Sequence, residues 1–413
     1  MNYSHTDPIA ARMDDDPYRG VDYDGKPSRS AGVRIAATPF VWREPADIPP
    51  RRWLFGGHYI RGYVTGTVAP GGMGKTSVVQ TEALSMVTGR DLLGIKPDLA
   101  SLKAWIWNLE DPTEEVERRF AASVVHHGIN PHDLAGRMFV NSGRDTPLVI
   151  ARKVKDAITV AEPVIDALVA EIDANGIDVL IIDPFVSSHG LPENDNAAID
   201  AAVKAWGRVA GRGNCSVELV HHSRKLNGDA ISADSARGGS AFVDGCRAVR
   251  VINRMSEEEA TRLGVDEARR FFFMLADKQN MAPPADKRDW YQLVSVPLAN
   301  GDNVAAVDKW TPPNPFDDVT LDHLRRVQAL FASSDYRESE QSPEWGGNAV
   351  ATVLDLDVGA GRKASERTGQ QKAARAKIKG ILRTWQDSGA IILETRADAK
   401  RMSKLFYACG EPA

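Results

Sequence analysis

The chain has 413 residues, 43% of them hydrophobic and 26% charged, with a formal net charge of -5. That length exceeds one compact core of roughly 250 residues and leaves room for a second, smaller domain. No apolar run reaches the about 18 residues needed to span a bilayer, and the acidic average weighs against nonspecific nucleic-acid binding by the chain as a whole, though not against a local basic patch.

In chain order, residues 1–35 are rich in Asp, Gly, Ser and Arg, lack apolar periodicity and predict a mobile leader without a signal-peptide core. The expected location is the cytoplasm. Residues 36–62 hold Phe40, Trp42, Trp53, Leu54 and Phe55 among prolines, which predicts an irregular segment packed on the domain after it. From residue 62 to about 310, apolar runs alternate with helical stretches in the βαβ manner, so residues 36–310 are expected to form a domain of fold class α/β with a mostly parallel sheet. Strands are expected at 63–68, 104–109, 179–182, 216–220, 248–252, 271–276 and 290–296. The segment "TPPNPFDD" (311–318) reads as a linker. Residues 319–413 then form the smaller domain. Cys215, Cys246 and Cys409 are odd in number and show no metal spacing, so reduced thiols are expected.

The stretch "APGGMGKTS" (69–77) follows the first expected strand and opens a helix. Gly71, Gly72 and Gly74 offer open backbone N–H groups, with Met73 between them. Lys75 would bridge the β- and γ-phosphates of ATP, Thr76 would place its hydroxyl on Mg²⁺, and Ser77 continues the helix whose N-terminus faces the anion. Ala69 stands where the pattern has its first Gly, a small-for-small change. In "IDVLIIDPF", four apolar residues deliver Asp183 to a strand end, where a second metal-side carboxylate is needed.

"WNLEDPTEE" offers several acids. Asp111, Pro112 and Glu114 fit a helix-capping box, which leaves Glu110 as the candidate base to activate water, at the tip of a strand expected next to the phosphate loop. "VELVHHSRK" ends a strand in His221 and His222, only one of which can face the γ-phosphate. The bland alternative is that both are ordinary strand-end residues.

With these motifs placed, residues 40 to 310 resemble the RepA-type hexameric replicative helicases of plasmids and mobile elements, a RecA-like ATPase family. "APGGMGKT", "LED", "VLIIDPF" with "ENDN", and "VHHSRK" with "ARGGSAFVDGCRAVRVI" occur in that family's order. The resemblance implies a homohexameric, Mg²⁺-dependent ATPase and DNA helicase. Lys75, Thr76 and Asp183 would hold MgATP, Glu110 would be the base, and His222 the γ-phosphate sensor with His221 as competitor. An arginine acting on the neighbouring subunit's site would be Arg250, with Arg247 and Arg254 as rivals. Lys278 stands where related helicases carry a lysine before a finger arginine, but the arginine position is Asn280. Single-stranded DNA in the ring channel would meet the loop holding Arg224, Lys225 and Arg237 in preference to the acidic stretch 187–196.

The C-terminal domain concentrates positive charge: residues 361–385 hold eight Lys/Arg against one Glu. The pattern reads as helix, Gly turn, strand, basic tip and strand, which resembles a winged helix. Lys372, Arg375 and Lys379 are the candidate contacts to duplex DNA, with a protein-docking module as the alternative. For the whole chain, an ATP-switched DNA-binding regulator or loader and a RecA-like filament stand beside the helicase reading.

Overall fold

Val64–Ala69, the apolar run before the glycines, is the middle strand of a nine-stranded mixed sheet. A computed structural model of the chain describes residues 36–99, 101–155, 157–223, 231–236, 239–265, 267–281, 288–397 and 402–411. In chain order the main elements are β1 (Val64–Ala69), α1 (Lys75–Thr88), β2 (Ala104–Asn108), α2 (Thr113–His126), β3 (Met138–Ser142), α3 (Glu162–Asn175), β4 (Val179–Asp183) and α4 (Asn196–Arg212). They continue with β5 (Ser216–His222), α5 (Gly239–Gly245), β6 (Ala248–Arg254), α6 (Glu257–Leu263), β7 (Phe271–Gln279), β8 (Asp289–Pro297) and β9 (Asn303–Lys309).

The sheet order is β9-β8-β7-β6-β1-β5-β4-β2-β3. Strands β6, β1, β5, β4, β2 and β3 pair in parallel, and β8 with β9 antiparallel. Each of the seven expected strands is present. Strands β3 and β9 were not expected: β3 mixes polar Asn141 and Ser142 into its run, and β9 opens on Asn303 and ends on Asp308-Lys309, so neither reads as a continuous apolar segment.

Side chains alternate across each strand. Ala104, Ile106, Val179, Ile181 and Val220 pack on one face with Ala83 and Met86 of α1. Leu180, Ile182, Val217 and Leu219 pack on the other with Ala202 and Trp206 of α4. A short hairpin, Trp53–Phe55 with Tyr59–Ile60, joins the α1 side, and its Leu54, Phe55 and Tyr59 are fully buried. The expectation that Phe40 and Trp42 pack on the body is not met: they are 86% and 67% exposed.

The chain divides into two compact units, and residues 254–271, inserted between β6 and β7, belong with residues 310–413. This second unit adds α7 (Leu321–Ser333), β10 (Tyr336–Arg337), α8 (Gly346–Leu354), α9 (Gly369–Asp387), β11 (Ile391–Ala397) and β12 (Ser403–Cys409). Its small antiparallel sheet has the order β10-β12-β11. Phe331, Trp345, Ile378, Leu382, Trp385 and Tyr407 centre its core. No helix among the described residues is long and apolar enough to cross a membrane.

Candidate functional site: the phosphate loop and its carboxylates

The turn from β1 to α1 is built on glycines for a conformational reason. Gly72 and Gly74 have φ of 71° and 80°, a region L side chains avoid, and a Cβ on Gly74 would stand 2.9 Å from the Leu293 side chain. A Cβ at Gly71 or Gly72 would meet nothing within 4 Å, so their bare backbone faces open space that an anion can enter. Met73 turns the other way, into the core with Val78 and Leu84, and anchors the loop. Lys75 and Ser77 are buried at the helix start, where unpaired N–H groups and the helix dipole favour a phosphate.

Asp183 ends β4 on the α1 face, 2% exposed, and accepts a hydrogen bond from the Thr76 hydroxyl at 2.5 Å. Burial pushes its carboxyl above the ordinary Asp value, with Glu110 adding to the rise, while Lys75, Thr76 and Arg119 pull the other way. These side chains therefore converge on one spot. A hydroxyl and one buried carboxylate beside an anion-binding loop suit Mg²⁺, which takes one or two carboxylates plus substrate phosphates and waters. No group of three or more His, Cys, Asp or Glu among the described residues could hold a metal.

A raised folded-state pKa means the folded protein holds this proton more tightly than the unfolded chain. Its contribution to stability is therefore present below the usual carboxylate range and is lost as pH rises through the raised value. The ionised form of Asp183 is a burden to the fold, which Mg²⁺ would relieve. Asp183→Asn is expected to raise the stability of the metal-free protein by about 1 kcal/mol while abolishing Mg²⁺-dependent turnover. Thermal melts with EDTA beside an ATPase assay check both halves; a lowered melting temperature would show that burial of the charge is not the dominant cost.

Glu110 is exposed just past the end of β2, on the α1 side by alternation with Ile106 and Asn108. Its strand is not next to the phosphate loop, because β5 and β4 lie between β1 and β2. The turn is held by Asn108, whose Oδ1 accepts from the backbone N–H of Glu110 at 3.1 Å and Asp111 at 2.8 Å. Arg144 donates to the Glu110 carbonyl at 2.9 Å. The expected capping box is absent: α2 has Pro112 at its N-cap without a side-chain bond, and Asp111 instead pairs with Arg119 at 2.8 Å. Asn108, Arg119 and Arg144 were missed, since lone polar residues beside a strand end carry no spacing signal.

The two histidines separate by strand alternation. His221 is fully buried on the α4 face, with ring centroids 5.3 Å from Phe185 and 4.7 Å from Phe242. His222 is half-buried on the opposite face, in register with Ala69 at the start of the phosphate loop.

Arg250 cannot be displayed to a neighbouring subunit, and that expectation is corrected. It is 6% exposed and donates to both Glu82 carboxylate oxygens at 2.6 Å and to the Thr67 hydroxyl at 2.8 Å. Tyr59 donates to the same Glu82 at 2.7 Å. Burial opposes the Arg250 charge, yet Glu82 holds its pKa above the ordinary guanidinium value. Beside it, Glu218 accepts from Thr65 and Thr67 and pairs with His58 at 2.9 Å. Carboxylates in the middle of "QTEALS" and "SVELVHH" were the available signal, because a charge inside an apolar run needs a partner. Arg247 and Arg254 are exposed. Lys278 is tied down, donating to the Val243 carbonyl at 2.8 Å, and Asn280 bonds through its backbone to Arg247.

Of the expected DNA contacts, Arg224, Lys225 and Arg237 lie outside the described residues. Lys372 and Lys379 are exposed on α9, with Lys379 ion-paired to Glu340. Arg375 is corrected: it is 5% exposed, stacks 4.1 Å from the Trp345 ring and bonds Glu340 at 3.2 Å, so it is part of the core.

A glycine-built anion loop at the end of one parallel strand, and a buried carboxylate two strands away, define an α/β P-loop nucleotide-binding domain. Residues 29–228 match the family model described as "AAA domain". A solved structure titled "Crystal structure of the RadB recombinase" aligns at 13% identity and a TM-score of 0.38, over 57% of this chain and 89% of that one.

Proposed function

We propose that the chain is a Mg²⁺-dependent ATPase that assembles as a homohexameric ring and moves along or unwinds DNA, in the cytoplasm, during replication of a plasmid, phage or mobile element. The observation that carries the ATPase reading is the convergence of Lys75, Thr76, Asp183 and Glu110 around one open anion loop. Gly71, Gly72, Gly74 and Lys75 bind the phosphates, and Thr76 and Asp183 would hold Mg²⁺. Bound there, Mg²⁺ neutralises phosphate charge. Glu110 orients and deprotonates the attacking water, and His222, in register with Ala69 at the end of β5, would sense loss of the γ-phosphate.

The order α7, β10, α8, α9, β11, β12 with its three-stranded sheet supports the reading of the second unit as a winged helix that contacts DNA. With Arg250 buried, the arginine that would complete a neighbour's site falls to Arg247 or Arg254. The same burial favours a second reading, an ATP-switched regulator or loader that turns over slowly. Strand displacement on a forked duplex, run beside light scattering with and without ATP, separates the two. ATP-driven displacement by a six-subunit particle is expected; ATP-dependent assembly without displacement would move the assignment to the regulator.

A further inference from the structure

We infer that the second unit holds duplex DNA by its backbone phosphates along one flank of α9, without reading base sequence. This rests on the reading of that unit as a DNA-binding winged helix and says how such a helix would be used.

Three sides of α9 have different fates. Gln371, Arg375, Ile378, Leu382 and Trp385 follow the helical repeat and are buried in the unit's core. The opposite side carries Ala373 and Gly380, two turns apart, and both are partly covered. Helix α6, from residues 254–271 of the same unit, packs against α9, and a Cβ on Gly264 would stand 3.0 Å from the Ala373 Cβ. A Cβ on Gly380 would come within 3.3 Å of Pro315. Lys377, between them, is half-buried, and the Thr384 hydroxyl turns back to the Gly380 carbonyl at 3.0 Å.

A helix that reads bases enters the major groove with the side facing away from its own core. A major groove about 12 Å wide admits one helix about 10–12 Å across, not a helix with a second one laid along its outer side. The side chains there are also wrong for the task, since base edges are read by paired donors and acceptors such as Arg, Asn or Gln, and Ala373 and Gly380 supply none.

What remains open is a flank. Lys372, Lys379 and Arg383 are exposed and stand at i, i+7 and i+11. At about 100° per residue they fall within about 40° of one another, along about 16 Å of helix. Lys379 pairs with Glu340, which Arg375 also holds from the buried side, and Arg383 lies 3.9 Å from Asp387. Such exposed pairs exchange readily for phosphate contacts. Arg362 and Lys363, both exposed, continue the positive charge into the loop before α9.

The test uses the full-length chain, with duplexes of unrelated sequence titrated over a range of salt, comparing wild type with the Lys372→Ala/Lys379→Ala/Arg383→Ala variant. Expected are affinities equal within about threefold across sequences, and a log–log salt slope shallower by about 2–3 in the variant, at roughly 0.9 for each phosphate no longer neutralised. The charge-keeping Lys372→Arg/Lys379→Arg/Arg383→Lys variant should restore the wild-type slope, which separates charge from folding. A preference of more than about tenfold for one sequence, weakened by the triple alanine change, would overturn phosphate-only binding while leaving a DNA-binding winged helix in place. Unchanged slopes with duplex binding retained would overturn the stripe alone, whereas absence of duplex binding by the wild-type chain would overturn the winged-helix contact itself.

Discussion

Glu110→Gln is expected to lower ATP turnover by about 10²–10⁴-fold while leaving ATP binding nearly unchanged, because the amide keeps the shape of the side chain but cannot take a proton. Glu110 stands just beyond β2 on the face that Asp183, Thr76 and Lys75 share, and it contributes to raising the Asp183 pKa. Its backbone is fixed by the Asn108 side chain and by Arg144, so the substitution leaves the turn intact. Steady-state turnover beside nucleotide binding measured by fluorescence checks the split between chemistry and affinity. The nearest alternative acid, Asp111, is engaged by Arg119 and Asn108. Turnover that survives the Gln change would mean that another group activates the water.

Arg250→Ala is expected to destabilise the protein by about 3–5 kcal/mol, because it strands the fully buried Glu82 carboxylate without its bidentate partner. The loss should appear in denaturant melts of the protein alone, with no nucleotide present. Replacing the pair together, Arg250→Met with Glu82→Leu, should cost much less, since no unpaired charge is then left in the core. A trans-acting arginine behaves in the opposite way: stability is kept, and turnover falls only in the assembled protein. Unchanged stability in Arg250→Ala would return that role to Arg250.

The parts of this molecule that were legible in the sequence are those written locally. Gly72 and Gly74 are needed for a backbone with φ above zero, so the loop shows itself residue by residue. The apolar runs ending at Ala69, Asp183 and His222 show the strands. Strand order is not local: β5 lies between β1 and β4 although residues 70–178 separate those two along the chain. Hence the distance of Glu110 from the phosphate loop could not be read. Arg250 failed for the same reason, its partner Glu82 lying on α1, which packs over a sheet whose order the chain does not spell out. Arg375 is a different case. Its place at i+4 from Gln371 and i−3 from Ile378 was visible as a core stripe, but the run of positive charge around it was the louder signal.

ATP hydrolysis measured with and without single-stranded DNA, beside a Lys75→Ala control, decides whether this protein is a DNA-driven ATPase. Expected is turnover that needs Mg²⁺, rises several-fold with single-stranded DNA and is abolished when Lys75 is replaced. Hydrolysis that persists in Lys75→Ala would contradict the phosphate-loop assignment, and hydrolysis lost in the variant but indifferent to DNA would contradict the DNA motor.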